Sequence, residues 1–505
     1  FILFFSFVVI ADYFLNYIFD GGPESEGYDL AINYRFTSPS PSNDIVILDI
    51  DERSLSLMSN DYGRWPWPRE VYAETLASIE SENPKSVIFN ILITDPDKKN
   101  PEGDMILDEI TTNTEKTVYP ITRLSPENDN KSQLYVSKIP GAKVNENFKD
   151  KTIAVLLPFL SGMQKNMGIS NLSSDNGSII RSYALKYNED EWNMKSLVGK
   201  AVEFFNQNKD IKETIYLNWR NKSGDYKRIS IGDYFLYLQG MNDDFKFSFE
   251  NKHVIIGATA PGISSPKGTS ISNYTDDNLI LATALDDALN DTDIKLLPDL
   301  ISVLMTLSVI FITGYLFIRE ADVDVDKIFL IMEISAVILM FSVINFSYYF
   351  IDLSPVLAFG IAFYAIVKVI QVTGRSSLYG SGNNLSAAIK SKNQSYCIIP
   401  FSNADLEKKN IKNRISNMQN KFNVANVFYC NEQFESDKVS ENLNIYSSFI
   451  IFSDKKKEML LEEAKKFFLD DNLKVFTAFD INKSRQIDDI KKEIAQNNLN
   501  QIIKL

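Results

Sequence analysis

The sequence contains a single histidine, His253, and only two cysteines, Cys397 and Cys430, in 505 residues. One histidine excludes a histidine-rich zinc site and any chemistry that needs two histidines. Two cysteines exclude a four-thiolate metal site and a disulfide framework. The formal net charge of -14 disfavours binding to polyanions, so no nucleic-acid partner is expected. The length exceeds what one hydrophobic core usually organises, which predicts two or more domains.

Four long apolar runs stand out from the rest of the chain. They cover residues 1–19, 300–318, 328–351 and 353–372. Because about 20 helical residues cross a hydrocarbon layer of about 30 Å, the runs predict four transmembrane helices, the first within 1–20 and the others within 299–372. Buried core helices are the alternative, but the last three runs follow one another too closely for it. The lipid bilayer is therefore an expected partner.

The charges around these runs indicate an orientation. Four basic residues lie in or after the last run: Lys368, Arg375, Lys390 and Lys392. They match the excess of Lys and Arg on the cytoplasmic side of membrane proteins, whereas the acidic connection 319–327 does not. With four spans, both termini are cytoplasmic and the acidic segment 21–298 lies outside. We expect a bacterial inner-membrane protein with a large periplasmic domain.

The segment 21–298 begins with a strand–helix–strand pattern. Residues 45–51 alternate β-branched residues with carboxylates, and residues 85–92 form a second apolar run, both typical of strands. Between them, Trp65-Pro66-Trp67-Pro68-Arg69 opens a helical pattern that reaches Ile79, and proline is favoured at a helix start. This unit predicts a parallel pair with a right-handed crossover, within an α/β sandwich that carries a long insertion. Further strands are expected at 152–157 and 253–257.

Several of these motifs together resemble a known family. They are Tyr28-Asp29, residues 47–54, the block from Trp65 to Arg69, residues 89–92, Gly168, residues 175–181 and residues 254–262. In this order they resemble the CHASE2 extracytoplasmic sensor domain. The resemblance covers residues 1–372 and implies one membrane helix before the sensor, three after it and a cytoplasmic output domain.

Two positions depart from the CHASE2 pattern. Asn90 follows Phe89 where the family usually has an aspartate, and residues 279–286 replace a closing block that contains a glycine and a histidine. If these positions serve the family's ligand, this protein senses something else or has lost sensing.

Polar side chains follow both predicted strands. Asp49, Asp51 and Glu52 come at the end of the first strand, and Asp95 and Asp97 after the second. Ligands commonly bind at the carboxyl ends of strands in open α/β sheets, so we expect these side chains to converge there. Gathered carboxylates predict a hard cation held by oxygen ligands, or a cationic ligand near an aromatic ring. The predicted ligand-binding set is completed by Trp65, Arg69 and Asn90.

A structural interpretation competes with this site. Asp51 and Asp95 would then cap turns, and Arg69 would pair with Asp49 to hold the helix on the sheet. The sequence predicts no catalytic residue and no cofactor, and it leaves open whether a metal binds.

Two ionisable residues lie inside the apolar runs at matching depth. Ionisable groups in hydrocarbon are costly and usually face a partner. Glu333 and Lys368 both lie near the cytoplasmic face, so we predict an intramembrane ion pair between them. The alternative is that Lys368 extends to the interface while Glu333 stays inside the helix bundle.

The last part of the chain is predicted to form a linker followed by a domain. Residues 373–395 are rich in glycine, serine and asparagine, which predicts a linker. Residues 396–505 alternate strand and helix patterns, which predicts a small cytoplasmic α/β domain with a parallel sheet, closest in shape to a receiver domain. Strands are expected at 396–401, 426–430, 448–452, 474–479 and 501–505, and helices at 406–422, 456–470 and 485–497.

The C-terminal domain lacks the motifs of the usual CHASE2 output enzymes. The resemblance implies a nucleotide cyclase, a histidine kinase or a serine/threonine kinase. The metal-binding aspartates of a cyclase, a cytoplasmic histidine, and the kinase glycine loop with its catalytic Asp/Asn pattern are all missing from 396–505. We therefore expect a non-catalytic output domain.

Three hypotheses for function follow. The first is an inner-membrane receptor that relays an envelope signal to the C-terminal domain, which recruits a cytoplasmic protein. The second is a structural or scaffold subunit of an envelope protein complex. The third is a divergent nucleotide cyclase or phosphotransfer protein. A homodimer or a larger complex is expected, because a change in one membrane helix transmits poorly without a partner surface.

Overall fold

The computed structural model describes residues 2–18, 26–63, 65–145, 148–172, 179–189, 192–205, 211–222, 224–242, 245–318, 325–380, 393–402, 415, 417–419, 427–430, 446–467, 477–481 and 493. The chain divides into two compact units. One contains Leu3–Ser308 and Leu330–Ala358, and the other contains Val309–Phe329 and Phe359–Leu505.

The helices and strands alternate along most of the described chain, which confirms the predicted mixed α/β class. The helices are α1 (Ile2–Ile18), α2 (Glu26–Tyr34), α3 (Glu52–Tyr62), α4 (Arg69–Ser81), α5 (Pro101–Asn113), α6 (Leu197–Phe205), α7 (Ile231–Leu238), α8 (Asp277–Asn290), α9 (Asp299–Ile318), α10 (Val325–Phe346), α11 (Ser354–Gly380) and α12 (Lys457–Phe467).

The strands of the first unit are mostly short. They are β1 (Ile45–Ile50), β2 (Ser86–Phe89), β3 (Thr117–Arg123), β4 (Lys143–Val144), β5 (Val155–Leu156), β6 (Met167–Ile169), β7 (Ile179–Ile180), β8 (Ser182–Ala184), β9 (Lys186–Glu189), β10 (Trp192–Lys195), β11 (Thr214–Tyr216), β12 (Lys227–Ser230), β13 (His253–Ala258), β14 (Lys267–Thr269), β15 (Ser272–Thr275), β16 (Lys295–Leu296) and β17 (Tyr349–Phe350). The second unit contains β18 (Ser395–Ser402), β19 (Val427–Cys430), β20 (Tyr446–Ser453) and β21 (Thr477–Asp480).

The main sheet has the order β12-β1-β13-β2-β3-β5, with β6 also pairing β3. The pairs from β12 to β3 are parallel. The predicted direct pairing of the first two strands is wrong, because β13 lies between β1 and β2. The connection from β1 to β2 through α4 therefore passes over one strand, β13, which comes from much later in the sequence. Of the strand predicted at 152–157, only β5 forms.

Helices cover both faces of this sheet. Alternate strand residues such as Val46, Leu48 and Phe89 join the core that includes α3, α4, α5 and α7 residues. On the other face, α8 packs against β1 and β13, and α6 packs against β2. Side chains of a strand point alternately to the two faces, so Asp49 points to the side of α8. The described arrangement has three layers, a parallel sheet between two groups of helices.

Polar caps fix where the helices around the sheet begin. The side chain of Asp51 accepts a hydrogen bond from the backbone N–H of Ser54 and caps α3. Asp276 does the same for Leu279 at the start of α8. Each carboxylate satisfies a backbone donor that has no partner within the helix. The α3 and α8 starts are thereby placed at the carboxyl edge of the sheet.

Two helices, Asp299–Phe317 and Val325–Phe346, are long and apolar enough to cross a membrane. Two further apolar stretches, Ile2–Leu15 and Ser354–Val369, are shorter. Within the described residues, length and composition therefore support two of the four predicted transmembrane helices. Helix α11 continues to Gly380, so the predicted linker begins as helix, and residues 381–392 lie outside the described part.

The sheet of the second unit is antiparallel, which corrects the predicted parallel sheet. Its order is β19-β20-β18-β21, and each neighbouring pair is antiparallel. This is the strand order of the split β-α-β, or ferredoxin-like, motif rather than of a receiver domain. In this order β20 lies between β18 and β19, and β18 lies between β20 and β21. Most of the helix predicted at 406–422, the helix at 485–497 and the strand at 501–505 lie outside the described residues.

Candidate functional site

A group of polar side chains lies at the carboxyl edge of the main sheet, in front of α8. We call Asp49, Asn90, Arg228, Asp276 and Asn278 the sheet-edge cluster. Arg228 joins two elements, because its Nη1 lies 2.7 Å from Asp49 Oδ2 and its Nη2 lies 2.8 Å from Asp276 Oδ2. The guanidinium thus connects the end of β1 to the cap of α8.

The second oxygen of Asp49 also has partners. Oδ1 accepts a hydrogen bond from Thr259 Oγ1 at 2.7 Å and from Asn278 Nδ2 at 3.4 Å. Asn278 Oδ1 in turn accepts from Asn90 Nδ2 at 3.5 Å. A Cβ on Gly257 would lie 2.1 Å from Asn278 Oδ1, so glycine is what allows α8 to approach β13 this closely.

Two opposing effects set the pKa values in the cluster: burial disfavours the charged forms, and pairing with opposite charges favours them. Burial raises the pKa of Asp49, although Thr259 and Arg228 oppose that shift. Burial disfavours the charge on Arg228, but Asp276 and Asp49 outweigh it and raise the pKa of the guanidinium. The side chains of Arg228 and Asp276 are 33% and 23% exposed. The cluster is therefore charged, paired and open to solvent on one side.

Asp51 and Glu52 do not join this cluster through any bond that the structure gives for the described residues. Asp51 Oδ1 accepts from Ser54 Oγ at 2.5 Å and from Ser230 Oγ at 2.8 Å, in addition to the backbone of α3. Glu52 is exposed in the first turn of α3. The capping role considered for Asp51 from the sequence is what the structure shows.

Trp65, Arg69, Asp95 and Asp97 form a second group around the start of α4. Arg69 Nε lies 3.4 Å from Asp104 Oδ1, and Nη2 lies 3.5 Å from the carbonyl of Asp95. The predicted Arg69–Asp49 pair is wrong, since Asp49 pairs with Arg228. Asp97 Oδ1 accepts from the backbone N–H of Lys99 at 2.9 Å, and the Trp65 ring packs edge-on against Trp67 and Tyr72.

The predicted carboxylates are thus distributed over separate places rather than gathered. Among the described residues, no three His, Cys, Asp or Glu side chains form a group that could hold a metal ion. The donor set near Asp49 contains a guanidinium and amides, which suits an anionic or polar ligand group better than a hard cation.

The other end of α8 holds a buried ionic network that the sequence reasoning missed. We call Arg35, Asn218, Arg220, Asp286 and Asp287 the helix-end network. Arg220 Nη1 lies 2.5 Å from Asp287 Oδ1, and Nη2 lies 3.1 Å from Asp286 Oδ2. The exposed fractions of the Arg220 and Asp287 side chains are 3% and 0%. Burial raises the pKa of Asp287 to about 6, against the opposing charge of Arg220.

This network reaches α2, the helix that follows α1. Arg35 Nη1 donates to Asn218 Oδ1 at 2.6 Å, and the backbone N–H of Asn218 donates to Asp287 Oδ2 at 2.7 Å. Tyr28 OH donates to the carbonyl of Leu217 at 3.1 Å. The one sequence signal for this network is that residues 279–286 depart from the CHASE2 pattern, since Asp286 belongs to it.

The apolar helices of the second unit contain an ion pair different from the one predicted. Lys368 Nζ contacts Asp326, and the ammonium lies 5.5 Å from the ring centroid of Tyr364. The carboxylate bound by Lys368 is therefore that of Asp326 rather than the predicted Glu333. Glu333 is buried, and neither of its oxygens has a hydrogen-bond partner among the described residues.

A parallel sheet between helices, with a polar cluster at its carboxyl edge, defines an α/β domain, and two helices long and apolar enough to cross a membrane follow it. The chain belongs to the CHASE2 family, because the CHASE2 domain model matches residues 4–316. CHASE2 is a family of extracellular sensory domains. No curated protein and no solved structure is significantly similar to the chain.

Proposed function

We propose that the protein is a bacterial inner-membrane receptor that spans the membrane four times. Its CHASE2 domain, within 21–298, would sense an envelope signal, and the C-terminal domain would pass it to a cytoplasmic protein. Membership of a sensory domain family supports the sensor role. The two long apolar helices support attachment to the membrane.

The two shorter apolar stretches, in α1 and in the first part of α11, are proposed as the first and last spans. Helix α1 has 17 residues and is about 26 Å long at 1.5 Å per residue. A helix slightly shorter than the hydrocarbon layer is accommodated by local thinning at modest cost. Helix α11 has 27 residues and carries Lys368 and Arg375 towards its end, which supports a cytoplasmic exit.

The contacts at the two ends of helix α8 are the main support for the sensor proposal. Its first turn belongs to the sheet-edge cluster through Asp276 and Asn278, and its last turn belongs to the helix-end network through Asp286 and Asp287. The helix has 14 residues, so it extends about 21 Å. The chain then passes through β16 to α9, the first of the two long apolar helices. One helix therefore connects the partly exposed sheet-edge cluster to the segment that leads into α9.

The proposed site of the stimulus is the sheet edge. A ligand that competes for Arg228 would release Asp276 and shift the start of α8. Asp49 and Asn90 belong to this place, while the group around Trp65, Arg69, Asp95 and Asp97 would form a flanking subsite. Asp51 and Glu52 border the cluster at the start of α3.

Topology can be tested with two single-cysteine variants in a background where both native cysteines are alanine. Tyr274→Cys lies on the exposed side of β15 and Met459→Cys on the exposed side of α12, since both parent side chains are exposed. With a membrane-impermeant maleimide, intact spheroplasts should label position 274 and not 459, and lysed cells should label both. Labelling of 459 but not 274 in intact spheroplasts would overturn the proposal.

A scaffold subunit is the second candidate, and one observation favours it. The charged groups of the sheet-edge cluster are already paired with one another, and residues 279–286 are mostly buried in α8 rather than lining an opening. A scaffold should be recovered from native membranes with stoichiometric partner proteins. A receptor should instead show a higher melting temperature when a mixture of small molecules from the cell envelope is added. The same purified full-length protein serves both measurements.

A further inference from the structure

Large apolar side chains are exposed at one end of the first unit. Helix α2 buries Tyr28, Ala31 and Ile32 but exposes Leu30 and Tyr34 on its other face, and it is followed by buried Arg35 and exposed Phe36. The end of α10 and the start of β17 expose Phe346, Tyr348 and Tyr349. We call these six exposed residues, Leu30 and five aromatic residues, the aromatic patch. Phe36 and Phe346 are 84% and 86% exposed, and contiguous exposed apolar side chains mark an interaction surface.

The two halves of the aromatic patch belong to one surface. The backbone N–H groups of Phe36 and Thr37 donate to Asn345 Oδ1 at 2.6 and 3.0 Å. The Tyr28 ring lies 5.2 Å from the ring of Phe350. A Cβ on Gly27 would lie 2.9 Å from Asp352 Oδ1, so α2 lies directly against the segment before α11. Helix α2 and the residues directly after it therefore contact the segment between α10 and α11.

The patch begins where an apolar helix ends. Helix α10 has 22 residues and measures about 33 Å at 1.5 Å per residue, close to a hydrocarbon layer of about 30 Å. Its large exposed apolar side chains before the end, including Ile334 and Ile338, are aliphatic, whereas Phe346, Tyr348 and Tyr349 at or just after its end are aromatic. This change from aliphatic to aromatic side chains is typical of the boundary between hydrocarbon and headgroups.

The chemistry of the patch favours lipid over a second copy of the chain. Tyrosine presents an apolar ring and a polar hydroxyl, which suits a layer that is apolar on one side and wet on the other. The Lys295 ammonium lies 5.8 Å from the Tyr349 ring, so a cation accompanies the aromatic residues, as expected beside lipid phosphates. The surface is also continuous with the exposed aliphatic side of α10.

We propose that α2 and β17 form an interfacial collar, in which the aromatic patch rests in the headgroup layer of the outer leaflet. The proposal rests on the membrane-spanning role of α10 put forward above. The collar holds the start of the CHASE2 domain and the helix-end network at a fixed height above the bilayer, since Arg35, the residue after α2, is buried and bonded to Asn218 of that network.

Spin-label accessibility in the full chain tests this proposal. Single-cysteine variants Phe36→Cys, Tyr274→Cys and Ile338→Cys are prepared without the native cysteines and reconstituted in liposomes of phosphatidylethanolamine and phosphatidylglycerol. Tyr274, on β15, is 82% exposed and matches Phe36 in exposure. Accessibility is measured to oxygen, which enters lipid, and to a water-soluble nickel chelate.

Position 36 should show an oxygen-to-nickel ratio at least about threefold above that of position 274, because the interface excludes polar reagents. Position 338 should show the highest ratio. If 36 matches 274 while 338 remains lipid-like, the collar is wrong although α10 spans the membrane. If 338 is also water-exposed, the spanning proposal itself fails. A label at 36 that is immobilised and spin-coupled to a second copy, at all protein-to-lipid ratios, also overturns the collar.

Discussion

The two ends of α8 hold similar ionic groups in different surroundings. At its start, Arg228 bridges Asp49 and Asp276 and is one-third exposed. At its end, Arg220 bridges Asp286 and Asp287 and is almost fully buried. An exposed pair is weak and can exchange partners with a ligand, whereas a buried pair resists disruption because either charge alone is costly. The comparison indicates a replaceable contact at one end and a rigid attachment at the other.

The strongest test of the comparison removes the buried guanidinium. Arg220→Met leaves two buried carboxylates without their cation, and we expect it to lower the free energy of unfolding by about 3–5 kcal/mol. Urea unfolding of the full chain in detergent can be followed by tryptophan fluorescence. All four tryptophans, Trp65, Trp67, Trp192 and Trp219, lie in the CHASE2 domain.

A matched double variant controls for simple loss of packing. The double variant Arg220→Met with Asp287→Asn removes one of the two carboxylate charges that Arg220→Met leaves unpaired. It should recover part of the lost stability. A cost below about 1 kcal/mol for Arg220→Met, typical of a surface pair, would contradict the rigid attachment.

The single histidine provides a pH-dependent test of the same domain. His253 Nδ1 lies 2.8 Å from Ser86 Oγ, and burial lowers its pKa to about 4. The unfolded chain binds a proton more readily, so stability falls as pH drops from about 6.5 to about 4. The shift is worth at most about 3 kcal/mol. Asp287 acts in the opposite direction, because its raised pKa stabilises the folded state as pH falls below about 6.

The variant His253→Gln isolates the histidine contribution. The difference in unfolding free energy between wild type and variant should change by about 2–3 kcal/mol between pH 7 and pH 4. A difference that does not depend on pH would show that His253 titrates normally and is not enclosed as described.

The close approach of α8 to the sheet can be tested at Gly257. In Gly257→Ala the new Cβ would meet Asn278 Oδ1, and such overpacking costs about 1–3 kcal/mol. Adding Asn278→Ala removes the clashing atoms and should restore part of the stability. Equal stability of Gly257→Ala and wild type would show that α8 does not depend on this contact.

The smallest effect is expected at the exposed end of α8. Arg228→Gln should cost about 1 kcal/mol, because solvent screens a partly exposed pair. Arg53→Gln is the matched control, since Arg53 pairs with Asp233 at 2.7 Å and is 63% exposed; its cost should be smaller than that of Arg228→Gln. A loss at Arg228 as large as that at Arg220 would remove the distinction between the two ends.

Local patterns were sufficient to predict the elements around the sheet edge. The alternation at 45–51 and the apolar run at 253–257 correspond to β1 and β13, and the Trp-Pro block precedes α4. They could not show that β13 lies between β1 and β2, because strand order depends on contacts between distant residues. For the same reason, alternating strands and helices in 396–505 did not distinguish a parallel sheet from interleaved crossovers.

The positions of two residues of the sheet-edge cluster could be predicted from the sequence, but the pairs that they form could not. Asp49 and Asn90 lie at the sheet edge as expected, but their partners Arg228 and Asn278 come from segments that carry no motif. Arg220 and Asp287 were missed because neither a run nor a spacing distinguishes a buried charge from a solvated one. Only the packing of α8 brings them together.

Hydrogen–deuterium exchange of the full chain in nanodiscs tests most directly whether α8 connects the two ends. Wild type, Arg228→Gln and Arg53→Gln are compared. If α8 is rigid and coupled, Arg228→Gln should accelerate exchange in α8, in residues 215–220 and in α2, while Arg53→Gln should leave all three unchanged. Acceleration confined to β12 and the first turn of α8 would contradict the account.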